Sequence, residues 1–287
     1  MKNALTVDLE DYYHVTAFAD HVDPSDWSSQ ASRVELTTNR LLDLLDETGR
    51  RATFFVLGWV GEAYPGLIRE VAKRGHEIAC HSYRHRLVYE LTHEEFREDT
   101  RRAMQILEDT AGVRVKGYRA PSFSITQHSW WAFRILVELG FEYDSSIFPV
   151  LHPNYGMPQA PRFTFRIVTD AGSLVEFPMS TLQFGNRRSP IAGGAYFRVL
   201  PYWYTHWGIQ FLNQKEGQPV CTYVHPWELD PEQPRINGGV TARLRHYFGI
   251  RNLEGRFRRL LRDFEFDTLG AVVAEQTPLA TLDVCRV

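Results

Sequence analysis

The sequence predicts an α/β fold around a mainly parallel sheet. Three observations carry that expectation. Short apolar or β-branched runs alternate with longer segments of helical period. Glycines at 49, 75 and 140 close the helical segments. The apolar runs end in acids, imidazoles or a guanidinium, where parallel α/β folds gather reactive groups. Strand–helix alternation implies parallel pairing through right-handed crossovers. The units continue long enough to suggest a barrel over an open three-layer sheet, although periodicity alone does not separate the two.

Residues 4–7 form a short apolar strand that runs into acids. Residues 33–48 have helical period through Leu36, Leu41, Leu44 and Leu45. Residues 52–57 are a β-branched and aromatic strand, and residues 65–74 a helix opened by Pro65. Residues 76–80 are the next strand. Thr92-His93-Glu94-Glu95 is a capping box for a long amphipathic helix to about Thr110. A strand at 115–118, a helix at 129–139 and a strand at 143–148 follow. Residues 162–169 and 173–178 alternate as a hairpin around Asp170-Ala171-Gly172. Residues 200–215 read as a helix, 220–224 as a buried strand, 253–264 as a helix and 269–273 as a strand. With no repeat or clear linker, the 287 residues read as one domain, with a core at 4–228 and an extension at 229–287.

Composition excludes several classes. A net charge of −3 with no basic stripe argues against nucleic-acid binding. The basic run at 256–262 has apolar residues at helical spacing and reads as the solvated face of a helix. Three cysteines make no disulfide framework, and Cys80 and Cys221 sit in apolar runs as small buried hydrophobes. There is no leader and no membrane-length apolar stretch, so the chain as it stands reads as cytosolic.

The chemistry lies at four strand ends. They deliver Asp8-Leu9-Glu10-Asp11, His81-Ser82-Tyr83-Arg84-His85, Arg119-Ala120-Pro121-Ser122-Phe123 and His225-Pro226-Trp227-Glu228. Two histidines four residues apart project from one side of a helical turn. With one carboxylate they make three ligands for a zinc-like ion and leave positions open for water and substrate. Asp8, at the strand end, suits a general base. His225 suits a general acid on the opposite side. Arg119 would pair with a carboxylate and fix it. Each cluster also has a plainer reading: an acidic loop or helix cap, an ordinary ion pair, a satisfied strand-end histidine. His14, His21, His93, His128, His152, His206 and His246 read as surface or packing residues, His14 being the strongest exception. Trp130, Trp131, Trp203 and Trp207 read as core, and Trp227 divides between core and sugar platform.

Taken together, these motifs resemble the polysaccharide deacetylase (NodB-homology) family, carbohydrate esterase family 4. The resemblance runs over roughly residues 4–228. It is carried by Thr6-Val7-Asp8-Leu9-Glu10-Asp11, His81 to His85, Arg119-Ala120-Pro121, Tyr143-Asp144-Ser145-Ser146 and Tyr223-Val224-His225. The remainder resembles the extension of a subgroup tied to exopolysaccharide and exosortase clusters. The family implies a distorted (β/α)7 TIM-like barrel, here with an added β-hairpin region and a C-terminal helical extension. It implies a hydrolase that removes N-acetyl groups from amino-sugar residues of an oligo- or polysaccharide. By the same resemblance Asp8 is the base, His81 and His85 are metal ligands, and His225 is the acid. Arg119 orients the base and Asp144 supports the network. Tyr118, Pro121, Phe123 and Trp227 shape the sugar site, and main chain after Pro121 helps hold the oxyanion. The metal is zinc, or cobalt or nickel. Most members have adjacent aspartates in the first motif, whereas here the string is Asp-Leu-Glu-Asp, which leaves Glu10 or Asp11 as the carboxylate ligand. Two alternatives stand beside this reading: an allantoinase-like amide hydrolase and a non-catalytic carbohydrate-binding barrel.

Overall fold

Strand β1, Lys2–Leu9, is buried along all but its first residue and has a neighbour on each side. This computed structural model describes every residue of the chain except Pro153, Ala192, Arg286 and Val287. The strands that follow are β2 (Thr53–Val56), β3 (Glu77–Cys80), β4 (Gly117–Tyr118), β5 (Tyr143–Asp144), β6 (Phe165–Thr169) and β7 (Gly172–Glu176). Then come β8 (Thr181–Phe184), β9 (Arg187–Pro190), β10 (Cys221–Val224), β11 (Glu265–Asp267) and β12 (Ala280–Asp283).

The main sheet runs β10-β1-β2-β3-β4-β5-β7, and every pairing along it is parallel. These seven strands are the (β/α)7 core that the sequence implies. β6 joins β7 antiparallel as the expected hairpin, and β12 pairs with β6. Among the described residues no pairing links β12 to β10, so hydrogen bonds leave the barrel open there. The hairpin β8–β9 stands apart as a second sheet.

Crossover helices enclose the sheet. Helix Val34–Thr48 buries Leu41, Leu42, Leu44 and Leu45, about 1.5–3 kcal/mol of transfer free energy for each side chain. It stops at Gly49, whose φ of 64° is the left-handed conformation that glycine adopts without a Cβ clash. Thr92 and Glu95 form the expected reciprocal cap of helix His93–Ala111. Among the described residues, no helix is long and apolar enough to cross a membrane.

Residues beyond 228 supply helices Val240–Tyr247, Leu253–Asp263 and Leu269–Glu275. They also add β11 beside β1 and β12 beside β6. The apolar run at 269–273, expected as a strand, is helical. Thr268 accepts a hydrogen bond from the Ala271 N–H and starts the turn, and β11 ends just before it. The helix seats on the first residues of β2 and β3: Leu269 N–H donates to Thr53 Oγ1 and Gly270 N–H to Glu77. It therefore closes the end of the barrel opposite the strand C-termini.

Two further expectations change. Strand 143–148 is only Tyr143–Asp144, because Ser145 and Ser146 leave the sheet to bind other groups. Trp203 and Trp207 are not core. They are 68% and 41% exposed, while Thr205, Gly208, Ile209 and Leu212 form the buried face of their helix, Tyr202–Gln214. That helix is apolar on both faces, so period alone could not choose the inner one.

Candidate active site

The C-terminal ends of the central strands open into a cleft of about 260 Å³, lined by Asp8, Glu10, His81, His85 and His225 among others. After β1 the chain curls, with Glu10 N–H donating to the Asp8 carbonyl (3.1 Å). Asp8, Glu10 and His81 are all but fully buried. The 81–85 segment is a loop rather than a helical turn. Ser82 and His85 have φ of 63° and 54°, a left-handed conformation costly for non-glycine residues. Those two reversals bring the imidazoles together, with ring centroids 5.3 Å apart. The His85 N–H donates to Ser82 Oγ, which braces the loop.

Glu10, His81 and His85 each offer a ligand atom within 4.8 Å of the others. Glu10 Oε2 is 2.9 Å from His85 Nε2 and has no hydrogen-bond partner among the described residues. A buried carboxylate oxygen left so is costly unless a cation completes it. His81 Nδ1 donates to the Arg119 carbonyl (2.8 Å), which leaves Nε2 as the lone-pair atom. Burial, ahead of nearby charges, pulls His81 down to about 4, so the ring is neutral as a ligand must be. Burial alone would raise Glu10, but His85, His225 and His81 hold it well below the usual carboxylate range. These residues fit a divalent transition-metal ion.

Asp11 is turned to other work. Its carboxylate accepts from the Tyr12 N–H on one oxygen and from Ser32 Oγ, Arg33 N–H and Val34 N–H on the other. It caps the start of helix Val34–Thr48 from a distance and is outside the Glu10–His81–His85 group. His14, the expected exception among the spare histidines, is buried against Trp27 and Trp59 and accepts from the Asp11 N–H.

Asp8 is held from behind. Arg119, fully buried, donates through Nη1 to Asp8 Oδ1 (2.7 Å) and Thr6 Oγ1 (2.8 Å). Its Nε and Nη2 donate to the Ser145 carbonyl and hydroxyl. Pinning Oδ1 leaves Oδ2 toward the cleft, 4.0 Å from His225 Nε2. Asp144 is one layer further back. Its oxygens accept from the Ser146 hydroxyl and N–H, and Ser146 Oγ accepts from the Ala120 N–H. Burial raises both Asp144 and Glu176 beside it, Glu176 far more, so the pair keeps a proton. Asp144 thus shapes the turn that holds Arg119 and touches no cleft group.

Across the cleft, His225 Nδ1 lies 3.1 Å from Glu228 Oε2, and the His225 N–H donates to the same oxygen. Burial opposes the charged imidazole, but Glu228, Glu10 and Asp8 outweigh it and push His225 up to about 9. Arg198 donates to the other Glu228 oxygen at 2.6 Å. Glu228, held at about 2, is buried and ionised: burial would raise it, and Arg198 and His225 prevail. Sequence reasoning quoted Glu228 but gave it no role, and it missed Arg198. An acid three residues after His225 was the available signal. Nothing local marks Arg198, 27 residues upstream.

Of the expected sugar-site residues, Phe123 lines the cleft and Tyr118 and Pro121 do not. Tyr118 packs edge-on against Phe96 and Phe141 in the core. Trp227 reaches the cleft but is no open platform. Its ring stacks between His225 and His246, and Nε1 donates to Glu10 Oε1 (3.4 Å). The Phe123 N–H donates to the Ala120 carbonyl, so that amide is committed. Ser122, at φ 50°, lines the cleft just after Pro121.

Residues 27–143 match the polysaccharide deacetylase family, and residues 145–274 match a domain of unknown function (DUF3473). The chain carries a polysaccharide deacetylase domain. A peptidoglycan-N-acetylglucosamine deacetylase from Bacillus cereus is 32% identical over 96 residues, 33% of this chain and 35% of that protein. A bifunctional xylanase/deacetylase from Pseudobutyrivibrio xylanivorans is 33% identical over 90 residues, 31% of this chain and 15% of that protein. The chain spans well under half the length of these relatives. Among solved structures, one from Mycobacterium smegmatis assigned to the polysaccharide deacetylases superposes with TM-score 0.62 at 22% identity, over 96% of this chain and 93% of that one. A CE4 family pseudoenzyme from Bacillus anthracis superposes with TM-score 0.50 at 12% identity, over 98% and 66%. At such identities the likeness shows the fold. The deacetylase fold also houses a pseudoenzyme, so activity must be argued from the side chains.

Proposed function

We propose that this deacetylase domain hydrolyses the N-acetyl group of amino-sugar residues in an oligo- or polysaccharide. One observation carries the reading. An anchored carboxylate, Asp8, and a charged imidazole, His225, flank the buried Glu10–His81–His85 group from different strands. An acid–base pair on either side of a metal-ligand set is what amide hydrolysis requires.

Glu10, His81 and His85 would hold a zinc, cobalt or nickel ion, which when bound supplies Lewis acidity to the acetyl carbonyl and to water. The chain's own residues manage the protons. Asp8, with Oδ1 tied to Arg119, presents Oδ2 to take a proton from the attacking water. His225, kept protonated at neutral pH by Glu228, delivers a proton to the departing amine nitrogen. That transfer makes the amine a competent leaving group when the C–N bond breaks. Arg119 stays charged and fixes the base, and Trp227 holds Glu10 and His225 in register.

The test is acetate release from N-acetylglucosamine oligomers. We expect turnover that a chelator abolishes and added zinc restores. Turnover of a ring amide without acetate release would favour the allantoinase-like alternative, and saccharide binding without any turnover would favour the non-catalytic one.

A further inference from the structure

The cleft has a second charged pole that the chemistry above does not use. Arg245, near the end of helix Val240–Tyr247, lines the same cleft as Asp8 and Glu10. Its side chain is exposed, and among the described residues no carboxylate lies within ion-pair distance of it. It acts on Tyr155, which also lines the cleft, by charge and by a side-chain hydrogen bond, and on His152 beside it by charge.

An exposed arginine alone would need no explanation. Here a buried group fixes the backbone that carries it. Arg198, 3% exposed, donates through Nη2 to the Arg245 carbonyl (3.1 Å) and through Nη1 to the His246 and Phe248 carbonyls (2.8 and 2.7 Å). His246 is locked as well, stacked on Trp227 at 4.1 Å and bonded to Gln233. The guanidinium that holds Glu228 against His225 therefore also sets the position of Arg245 relative to the site. A neutral sugar offers a guanidinium only uncharged hydroxyl and carbonyl acceptors. A carboxylate or phosphate matches its planar donors in a bidentate fork.

We propose that Arg245 recognises a carboxylate or phosphate group on the saccharide, so that the substrate is an acidic N-acetylated oligo- or polysaccharide. This rests on the deacetylase reading of the cleft.

The experiment compares three tetrasaccharides: N-acetylglucosamine alone, N-acetylglucosamine alternating with glucuronate, and N-acetylglucosamine carrying a 6-phosphate. The quantity is the ratio of kcat/KM for acidic over neutral substrate, in the wild type, Arg245→Gln and Arg245→Lys. We expect at least one acidic substrate to be preferred about tenfold, what one charge-assisted pair supplies. The ratio should fall to near one in Arg245→Gln, be partly kept in Arg245→Lys, and shrink with added salt. The two acidic arms tell carboxylate from phosphate. Equal or better use of the neutral tetrasaccharide by the wild type would overturn the proposal, as would a ratio that Arg245→Gln leaves untouched. If no substrate releases acetate, the deacetylase reading fails separately. Calorimetric affinities of the wild type and Arg245→Gln for the same three probes then decide the role of Arg245 by the same ratio.

Discussion

The two flanks of the cleft are built differently. On one side Asp8 is held by Arg119, with support from Ser145, Ser146 and Asp144 at the ends of neighbouring strands. On the other, His225 is held by Glu228, and Glu228 by Arg198, which also grips the segment at 245–248. The first flank hangs on residues in register across the parallel sheet. The second hangs on an arginine that sequence places far from what it touches. The second flank, from Arg198 to the segment at 245–248, lies wholly in the region matching DUF3473, whereas the first takes Arg119 from the region matching the polysaccharide deacetylases and Ser145 and Ser146 from the other.

The sharpest way to break this comparison is to remove one flank at a time. Asp8→Asn should keep its metal content and lose roughly 100- to 10,000-fold in kcat, the range expected for a lost general base. Metal analysis and acetate release check it together. A near-normal rate would take Asp8 out of the base role and leave its flank purely structural.

Arg198→Met should be the most destabilising single change on the second flank. It leaves Glu228 buried, ionised and short of a partner, a loss of about 3–5 kcal/mol. It also frees three carbonyls. The measurement is the denaturation midpoint, and a shift no larger than that of a surface mutant would show that Arg198 is not the clamp described.

Glu228→Gln separates charge from shape. The glutamine keeps the volume, but the main negative partner of His225 is gone. His225 stands at about 9, above its ordinary 6.5, because of Glu228 first and then Glu10 and Asp8. A general acid works while protonated, so activity is lost as pH rises through its pKa. Removing Glu228 lowers that pKa, and the alkaline limb of the kcat profile should move to lower pH. At neutral pH kcat should fall roughly 10- to 100-fold, short of a complete loss of acid catalysis, with KM little changed. An alkaline limb that stays in place would mean Glu228 only packs.

Legibility follows the same division. The α/β class, the hairpin at 165–176 and the capping box at Thr92 were readable because each is a local pattern. Asp8, Glu10, His81, His85, Arg119 and His225 were readable because contiguous motifs end strands, and all but Arg119 line one cleft. Choosing between Glu10 and Asp11 needed the actual curl after β1. Spacing permits either, and only the three backbone amides on Asp11 show that its carboxylate is already engaged. Tyr118 was misplaced because position next to Arg119 says nothing about which side of a strand faces the cleft. Successive residues of a strand point to opposite faces. Arg198 had no local signature; the Arg245-His246-Tyr247-Phe248-Gly249 stretch was legible as part of the extension, with His246 a packing residue, but its place at the cleft was not, since each of these residues gains its partner from a distant part of the chain.

The smallest expected effect tests exposure, not chemistry. Residues 200–215 gave a helix with aromatic side chains all round it, and burial of Trp203 was the natural expectation. The structure leaves Trp203 68% exposed, with Tyr204 edge-on beside it at 6.0 Å. A buried aromatic truncated to alanine costs about 3–5 kcal/mol, whereas surface substitutions fall within about 0.5 kcal/mol. Trp203→Ala should therefore leave the midpoint of urea unfolding nearly unchanged. Ile209→Ala, on the fully buried face of the same helix, should lower the midpoint clearly, by the equivalent of about 2–5 kcal/mol of stability. A large loss at Trp203 would mean that the helix is rotated about its axis from the orientation seen here. The buried and exposed faces would then exchange, and the sequence's first reading of that tryptophan would stand.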